Sequence, residues 1–306
     1  MSDAAETAGT VGFVGLGTMG RPIAERLMVA GHPLVVSDLS GVDAGWWEAE
    51  GARFKGSAAA VAEAARIIFL SLPGPREVEQ VVTGPHGIME AARPGDIVVD
   101  LSTNSHAMVM ALASRLTAAD VAFVDAPVSG GVAGAVKGTL AVMAGGDAAV
   151  IETLAPLMAA FSARVFHAGG AGMGTIAKLA NNQIFLTAGT AVQEGFVMAA
   201  KAGLDSTVLL EILKASSASG YIGMAPLFFA RDFDRVMFRL GLAAKDLGLA
   251  LETAADLGVA MPTSQGAAEV YRDAIAKGLE DKVFYATLRA LELEAGAEVA
   301  IPVKAT

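Results

Sequence analysis

Residues 10–31, TVGFVGLGTMGRPIAERLMVAG, decide the fold. Thr10 to Gly15 reads as a short buried strand. It runs into Gly15-Leu16-Gly17-Thr18-Met19-Gly20, and a helical pattern follows as far as Gly31. A G-x-G-x-x-G alone is weak; between a strand and a helix it is the dinucleotide fingerprint. Gly15 permits the turn, Gly17 lets a pyrophosphate approach the backbone, and Gly20 lets helix pack closely on strand. The diphosphate then meets free N–H groups at a helix N-terminus. Pro22 is tolerated because first-turn N–H groups have no partner within the helix.

Working outward, the next strand, PLVVSD, ends in Asp38, 18 residues past Gly20. A carboxylate there can accept both ribose hydroxyls and repel a 2′-phosphate. Leu39-Ser40-Gly41 offers no arginine to bind such a phosphate. NAD is therefore expected over NADP; the plainer reading is a surface Asp opening a turn. Strand–helix alternation continues through ARF, RIIFLSL with Leu72 and Pro73, DIVVDLST with Thr103, and VAFVDAPVSGG. It implies a doubly wound, mainly parallel α/β sheet whose strand ends face the glycine loop. Ser129, Gly130 and Gly131 follow the last of these strands in a run, SGGVAGAVKG, that reads as too glycine-rich for regular structure. Successive N–H groups beside a hydroxyl make a nest for a carboxylate, and a plain loop is the alternative. Ser129 lacks the G-x-S-x-G setting of a hydrolase nucleophile. LAVMAGG and ARVFHAGG read as two more strands.

Everything after Gly170 reads as helical, beginning with GMGTIAKLANNQ (172–183). One helix is expected from about Thr175 to Ala202, ~42 Å long at 1.5 Å per residue. Lys178 and Asn182 then share a face one turn apart. A helical lysine is ordinarily a solvated charge; this one sits among Ile176, Ala177, Leu179 and Ala180. Lys245-Asp246, taken alone, reads as a solvated pair on a later helix. The chain thus divides into a flexible tail (1–10), a dinucleotide-binding Rossmann domain (11–170), and an all-α substrate and oligomerisation domain built on the long linking helix (171–306).

Composition bounds the rest. Among 306 residues there is no cysteine, so disulfides, cysteine–metal sites and thiol nucleophiles are excluded. The four histidines, at 32, 86, 106 and 167, form no ligand spacing, so no metal is expected. A net charge of −10 without a basic cluster argues against nucleic acid. The content is 54% hydrophobic, yet every apolar run is interrupted short of the roughly 18 residues a membrane helix needs. The first ten residues have no signal-peptide pattern, and a cytoplasmic protein is expected.

GFVGLGTMGRPIAERL, DAPVSGGVAGAVKGTLAVMAGG, GMGTIAKLANNQ and KDLGLAL together resemble the β-hydroxyacid dehydrogenase family, of the 3-hydroxyisobutyrate dehydrogenase and tartronate semialdehyde reductase type. The resemblance runs in order along the chain beyond residue 10. It implies NAD-dependent interconversion of a small 3-hydroxyacid and its semialdehyde, in a homodimer or homotetramer. By it Lys178 is the catalytic lysine, and Asn182, Ser129, Gly130 and Gly131 hold a carboxylate-bearing substrate. Thr103 and Lys245 contact the cofactor. Arg239 is a further candidate for a distal substrate group. Two stretches depart from the family: STNSHA where a proline is common, and SSASGYIGMAPLFFARDF on the substrate-facing side. A phosphorylated sugar acid as substrate, or a silent nucleotide-binding module, are the alternatives.

Overall fold

The computed structural model describes residues 9–39 and 42–299. Residues 1–8 of the expected tail, and Ser40 and Gly41 after Asp38, lie outside the described residues. Two compact units divide after Lys178, at 1–178 and 179–306.

In the first unit, the described strands form one sheet in the order β3-β2-β1-β4-β5-β6-β8-β7, with β9 on β8. They are β1 (Val11–Val14), β2 (Leu34–Ser37), β3 (Arg53–Phe54), β4 (Ile67–Leu70), β5 (Ile97–Asp100), β6 (Ala122–Asp125), β7 (Val128–Ser129), β8 (Leu140–Gly145) and β9 (Ser162–Gly169). β1 to β6 pair in parallel through crossover helices α1 (Gly20–Val29), α2 (Ala44–Ala49), α3 (Ala58–Ala64), α4 (Pro75–Thr83) and α5 (His106–Thr117). Such a sheet is covered on both faces, so its strands read as continuous apolar runs. Alternate residues go to opposite cores: Phe13, Val36, Phe69 and Val99 to one, Val14, Val35, Ile68 and Val98 to the other.

Sequence order reverses across β1 and β4, the crevice where such sheets bind ligands. Register there is uniform. Val14 pairs with Leu70, Leu70 with Asp100 and Asp100 with Asp125, so four strands end level.

One expectation is corrected. The SGGVAGAVKG run is not irregular: Gly131–Lys137 is a helix, α6, closed by Gly138 in the left-handed conformation. Its glycine suits close packing, because Gly134 lies against Leu140, where a Cβ would come within 3.0 Å of Cδ2. Local propensity loses here to that contact. Helix α7 (Ala148–Met158) then joins β8 to β9.

Helix α8 (Met173–Lys201) begins in the first unit and continues into the second. The second unit adds α9 (Ser206–Lys214), α10 (Ala225–Phe229), α11 (Leu240–Asp256), α12 (Pro262–Ala276) and α13 (Thr287–Ala295). Between α9 and α10 the chain makes two 3-10 turns, Ser217–Gly220 and Ile222–Met224, and the short α10 carries Pro226 in its first turn. This unit's core is aromatic, with Phe196, Phe228, Phe229, Tyr271, Phe284 and Tyr285 all buried.

Candidate active site

The glycine loop is shaped by what it cannot accommodate. Gly15 has φ +96°, and a Cβ on it would lie 2.3 Å from the Ser71 carbonyl oxygen. A Cβ on Gly20 would lie 1.8 Å from the Gly15 carbonyl. Gly17, exposed, meets nothing within 4 Å. So the loop presents bare backbone outward while its two flanking glycines lock it to β4 and α1. Helix α1 has no side-chain cap and no acid in its first turn. Its leading N–H groups therefore suit an anion from outside the chain, and the residues present fit a diphosphate.

Asp38 follows β2 directly, and its Oδ2 accepts the Leu16 N–H at 2.6 Å. The carboxylate expected to read a ribose thus also braces the loop. Leu72 is half-buried and its N–H donates to Ser102 Oγ at 2.9 Å; Pro73 is exposed and Thr103 half-buried. Below them Asp100 accepts from Ser102 N at 3.0 Å and from Asn104 Nδ2 at 2.5 Å. Thr18 is exposed and Met19 half-buried beside the loop.

Ser129 ends β7, opposite Ala141. Gly130 (φ +129°) and Gly131 (φ +61°) follow it, both exposed, and no side chain caps the backbone they present. Lys178 is half-buried on α8. The start of that helix is held from the sheet: Asp125 Oδ1 accepts Gly172 N–H and Oδ2 accepts Thr175 N–H, both at 2.7 Å. Asp125 is 1% exposed, and burial raises its pKa against the lowering effect of the Thr175 and Gly172 N–H groups.

In the second unit, Asn182 is 5% exposed and its Nδ2 donates to Asp246 Oδ2 at 2.7 Å. The other oxygen of Asp246 meets Lys245 Nζ at 2.9 Å. Taken alone, Lys245-Asp246 reads as a solvated pair; the aspartate is buried and accepts from an amide 64 residues away in sequence. Arg239 precedes α11, exposed, 3.7 Å from Asp281. Three groups escaped sequence reading: Asp125, Asp246 and the Asp100–Asn104 pair. For the first and last, a signal existed in acids that end otherwise apolar strands, in VVD and FVD. Among the described residues no His, Asp or Glu cluster could hold a metal ion.

Residues 10–170 match the family model described as the NAD binding domain of 6-phosphogluconate dehydrogenase. Residues 172–291 match that for the NAD-binding region of NADP-dependent 3-hydroxyisobutyrate dehydrogenase. The chain is 35% identical to 2-hydroxy-3-oxopropionate reductase of Escherichia coli K12, over 95% of this chain and 99% of that one. It belongs to the β-hydroxyacid dehydrogenase family. It is likewise 33% identical to 2-(hydroxymethyl)glutarate dehydrogenase of Eubacterium barkeri, over 94% and 97% of the two chains. Among solved structures, Mycobacterium tuberculosis 3-hydroxyisobutyrate dehydrogenase with L-serine superposes with TM-score 0.85 at 30% identity, covering 93% of this chain and 99% of that one. As a member of the family this chain is a nicotinamide-dependent oxidoreductase acting on a CH–OH group, and both NAD and NADP serve within the family. No helix among the described residues is long and apolar enough to cross a membrane.

Proposed function

We propose that the enzyme interconverts a small 3-hydroxyacid and its semialdehyde, with NAD as cofactor and Lys178 as the group that moves the proton. The observation that carries this reading is a half-buried lysine on a helix whose first turn is tied to the sheet by a buried carboxylate. When bound, the nicotinamide supplies or accepts the hydride. Lys178 Nζ donates a proton to the oxygen that becomes the alcohol, and takes it back in the oxidative direction. Ser129, Gly130 and Gly131 seat the substrate carboxylate, and Asn182 orients the substrate one helical turn from the lysine. Thr103, Lys245 and the residues 15–20, 72 and 73 bind the cofactor, with Asp38 selecting NAD by its charge.

A phosphorylated sugar acid is disfavoured by where the arginines are spent. Arg231 is bidentate to Glu292 and also reaches Glu298 and the Val299 carbonyl; Arg239 faces Asp281. Neither is gathered with a second cation into a phosphate seat.

A homo-oligomer is supported by a groove of about 910 Å³ in the second unit, walled by Ile184, Met198, Leu204, Leu209 and Tyr221. Ile184, Met198 and Tyr221 there are 63%, 71% and 66% exposed, an apolar face of the kind that contacts between chains cover. Light scattering behind gel filtration tests it, and a monomer would defeat it. For the activity, a panel of C3–C5 hydroxyacids and semialdehydes is followed by NADH absorbance. Turnover of a short β-hydroxyacid or its semialdehyde above all other members is expected; activity confined to uncharged alcohols would overturn the reading.

A further inference from the structure

We propose that Asp125 is a positioning residue for Lys178: its buried carboxylate grips the first turn of α8 and so fixes the place from which the lysine reaches. The inference rests on Lys178 being the proton-transfer group.

A helix begins with orphan N–H groups, and the residue just before it normally caps them with its own side chain. The described chain does this at α2, α7 and α9, where Asp43, Asp147 and Asp205 accept N–H groups two or three residues ahead. At α8 that solution is closed. Gly172 precedes the helix with φ +85°, and a Cβ there would lie 2.7 Å from His106 Nε2. The cap comes instead from the end of β6, 47 and 50 residues back in sequence. Each oxygen of Asp125 takes one N–H at 2.7 Å, the short length of a charge-assisted bond.

The turn is also seated without slack. A Cβ on Gly174 would fall 2.2 Å from the Met143 carbonyl and 2.4 Å from that of Asp125. Backbone of α8 thus rests directly on backbone of β6 and β8. Lifting the first turn off the sheet breaks two hydrogen bonds, and pressing it closer meets these carbonyls. Lys178 lies three residues past Thr175, about 4.5 Å along the axis. Displacements of about 1 Å suffice to cost a reacting group its alignment. A buried carboxylate is an expensive cap compared with an exposed one. On this proposal the cost goes to fixing Lys178, one turn further on.

The test compares Asp125→Asn, Lys178→Ala and the double variant in the full-length chain, using the panel acid that wild type oxidises fastest. NADH affinity is read by fluorescence titration. Asparagine keeps the shape but turns an amide N–H₂ toward one of the two donors. Asp125→Asn is expected to lower kcat by about tenfold or more with KM and NADH Kd within about twofold. In the Lys178→Ala background it should lower kcat no further, since residues acting as a unit are non-additive. Asp125→Ser, a smaller side chain, is read the same way if the asparagine variant does not fold.

A wild-type kcat in Asp125→Asn overturns the proposal and leaves the lysine reading intact. So does a further loss in the double variant equal to that in the single one. If neither Asp125 variant folds, the carboxylate is a folding element and the proposal falls. A Lys178→Ala enzyme with wild-type kcat defeats the lysine reading itself, seen without any change at Asp125.

Discussion

Asn182 Nδ2 donates to Asp246 Oδ2 at 2.7 Å, which fixes the amide's orientation by a carboxylate from α11. The amide oxygen accepts from Asn181 Nδ2 at 3.0 Å, and Asp246 Oδ1 meets Lys245 Nζ at 2.9 Å. One buried acid therefore orders an amide assigned to the substrate and an ammonium assigned to the cofactor. Removing it leaves buried polar groups of Asn182 without that acceptor.

Asp246→Ala should accordingly cost about 1.5–3 kcal/mol, the worth of hydrogen bonds to a charged group. The melting temperature should drop by roughly several degrees. Because both attached side chains are freed together, kcat/KM should fall at least about tenfold, with KM for acid and cofactor both rising. Unchanged melting and unchanged KM values would show that the network orders nothing.

Much of this was legible beforehand, for particular reasons. The glycine loop announced itself because two steric demands, at Gly15 and Gly20, can be met by one residue type, and Gly17 between them leaves the backbone bare. Lys178 and Asn182 could be paired because helical spacing is fixed by geometry. Asp125 was hidden because its partners, Gly172 and Thr175, are 47 and 50 residues away and are backbone atoms, which carry no residue-type signal. The helix at Gly131–Lys137 was hidden for the opposite reason. Its glycines argue against a helix locally, and the contact that favours one of them, Gly134 against Leu140, is made with the strand that follows the helix.

Asp38 does two things that substitution can separate. Asp38→Ala removes the charge and the acceptor for Leu16 N–H, so it should both narrow the NAD/NADP ratio of kcat/KM and weaken binding of either cofactor. Asp38→Asn retains an acceptor for Leu16 and should narrow the ratio while holding NAD affinity closer to wild type. A wild-type enzyme that prefers NADP would remove Asp38 from the role of selector.

Gly131 tests the carboxylate seat. Its φ of +61° is left-handed, but a Cβ there would meet nothing within 4 Å. Gly131→Ala should therefore cost only about 1–2 kcal/mol in stability, while the methyl projects into open space. If that space is where the substrate anion sits, KM for the acid rises about tenfold or more and NADH affinity holds. An unchanged KM would place the anion elsewhere.

Asp125 also makes a stability prediction. Burial raises its pKa in the folded chain above the unfolded value, so between those two values the folded state binds more protons than the unfolded one. Stability from this group is then full below the unfolded pKa and is lost as pH rises through the folded one. Compared with Asp125→Asn, which does not titrate, wild type should lose ground in chemical denaturation as pH rises from about 4 toward neutrality. A difference that moves in the opposite sense would mean that the hydrogen bonds outweigh desolvation.

Lys178 carries the mechanism, and its test separates chemistry from binding. Lys178→Ala should lower kcat about 10²–10⁴-fold, the usual loss when general acid–base help is removed. NADH binding should survive, since the glycine loop and Asp38 are untouched. Lys178→Arg should not restore the rate, because guanidinium stays protonated and cannot serve as the base. A small primary amine added to Lys178→Ala should recover part of the rate by entering the space the side chain leaves. A folded Lys178→Ala enzyme that binds NADH and keeps more than about a tenth of wild-type kcat would assign the proton transfer to another group.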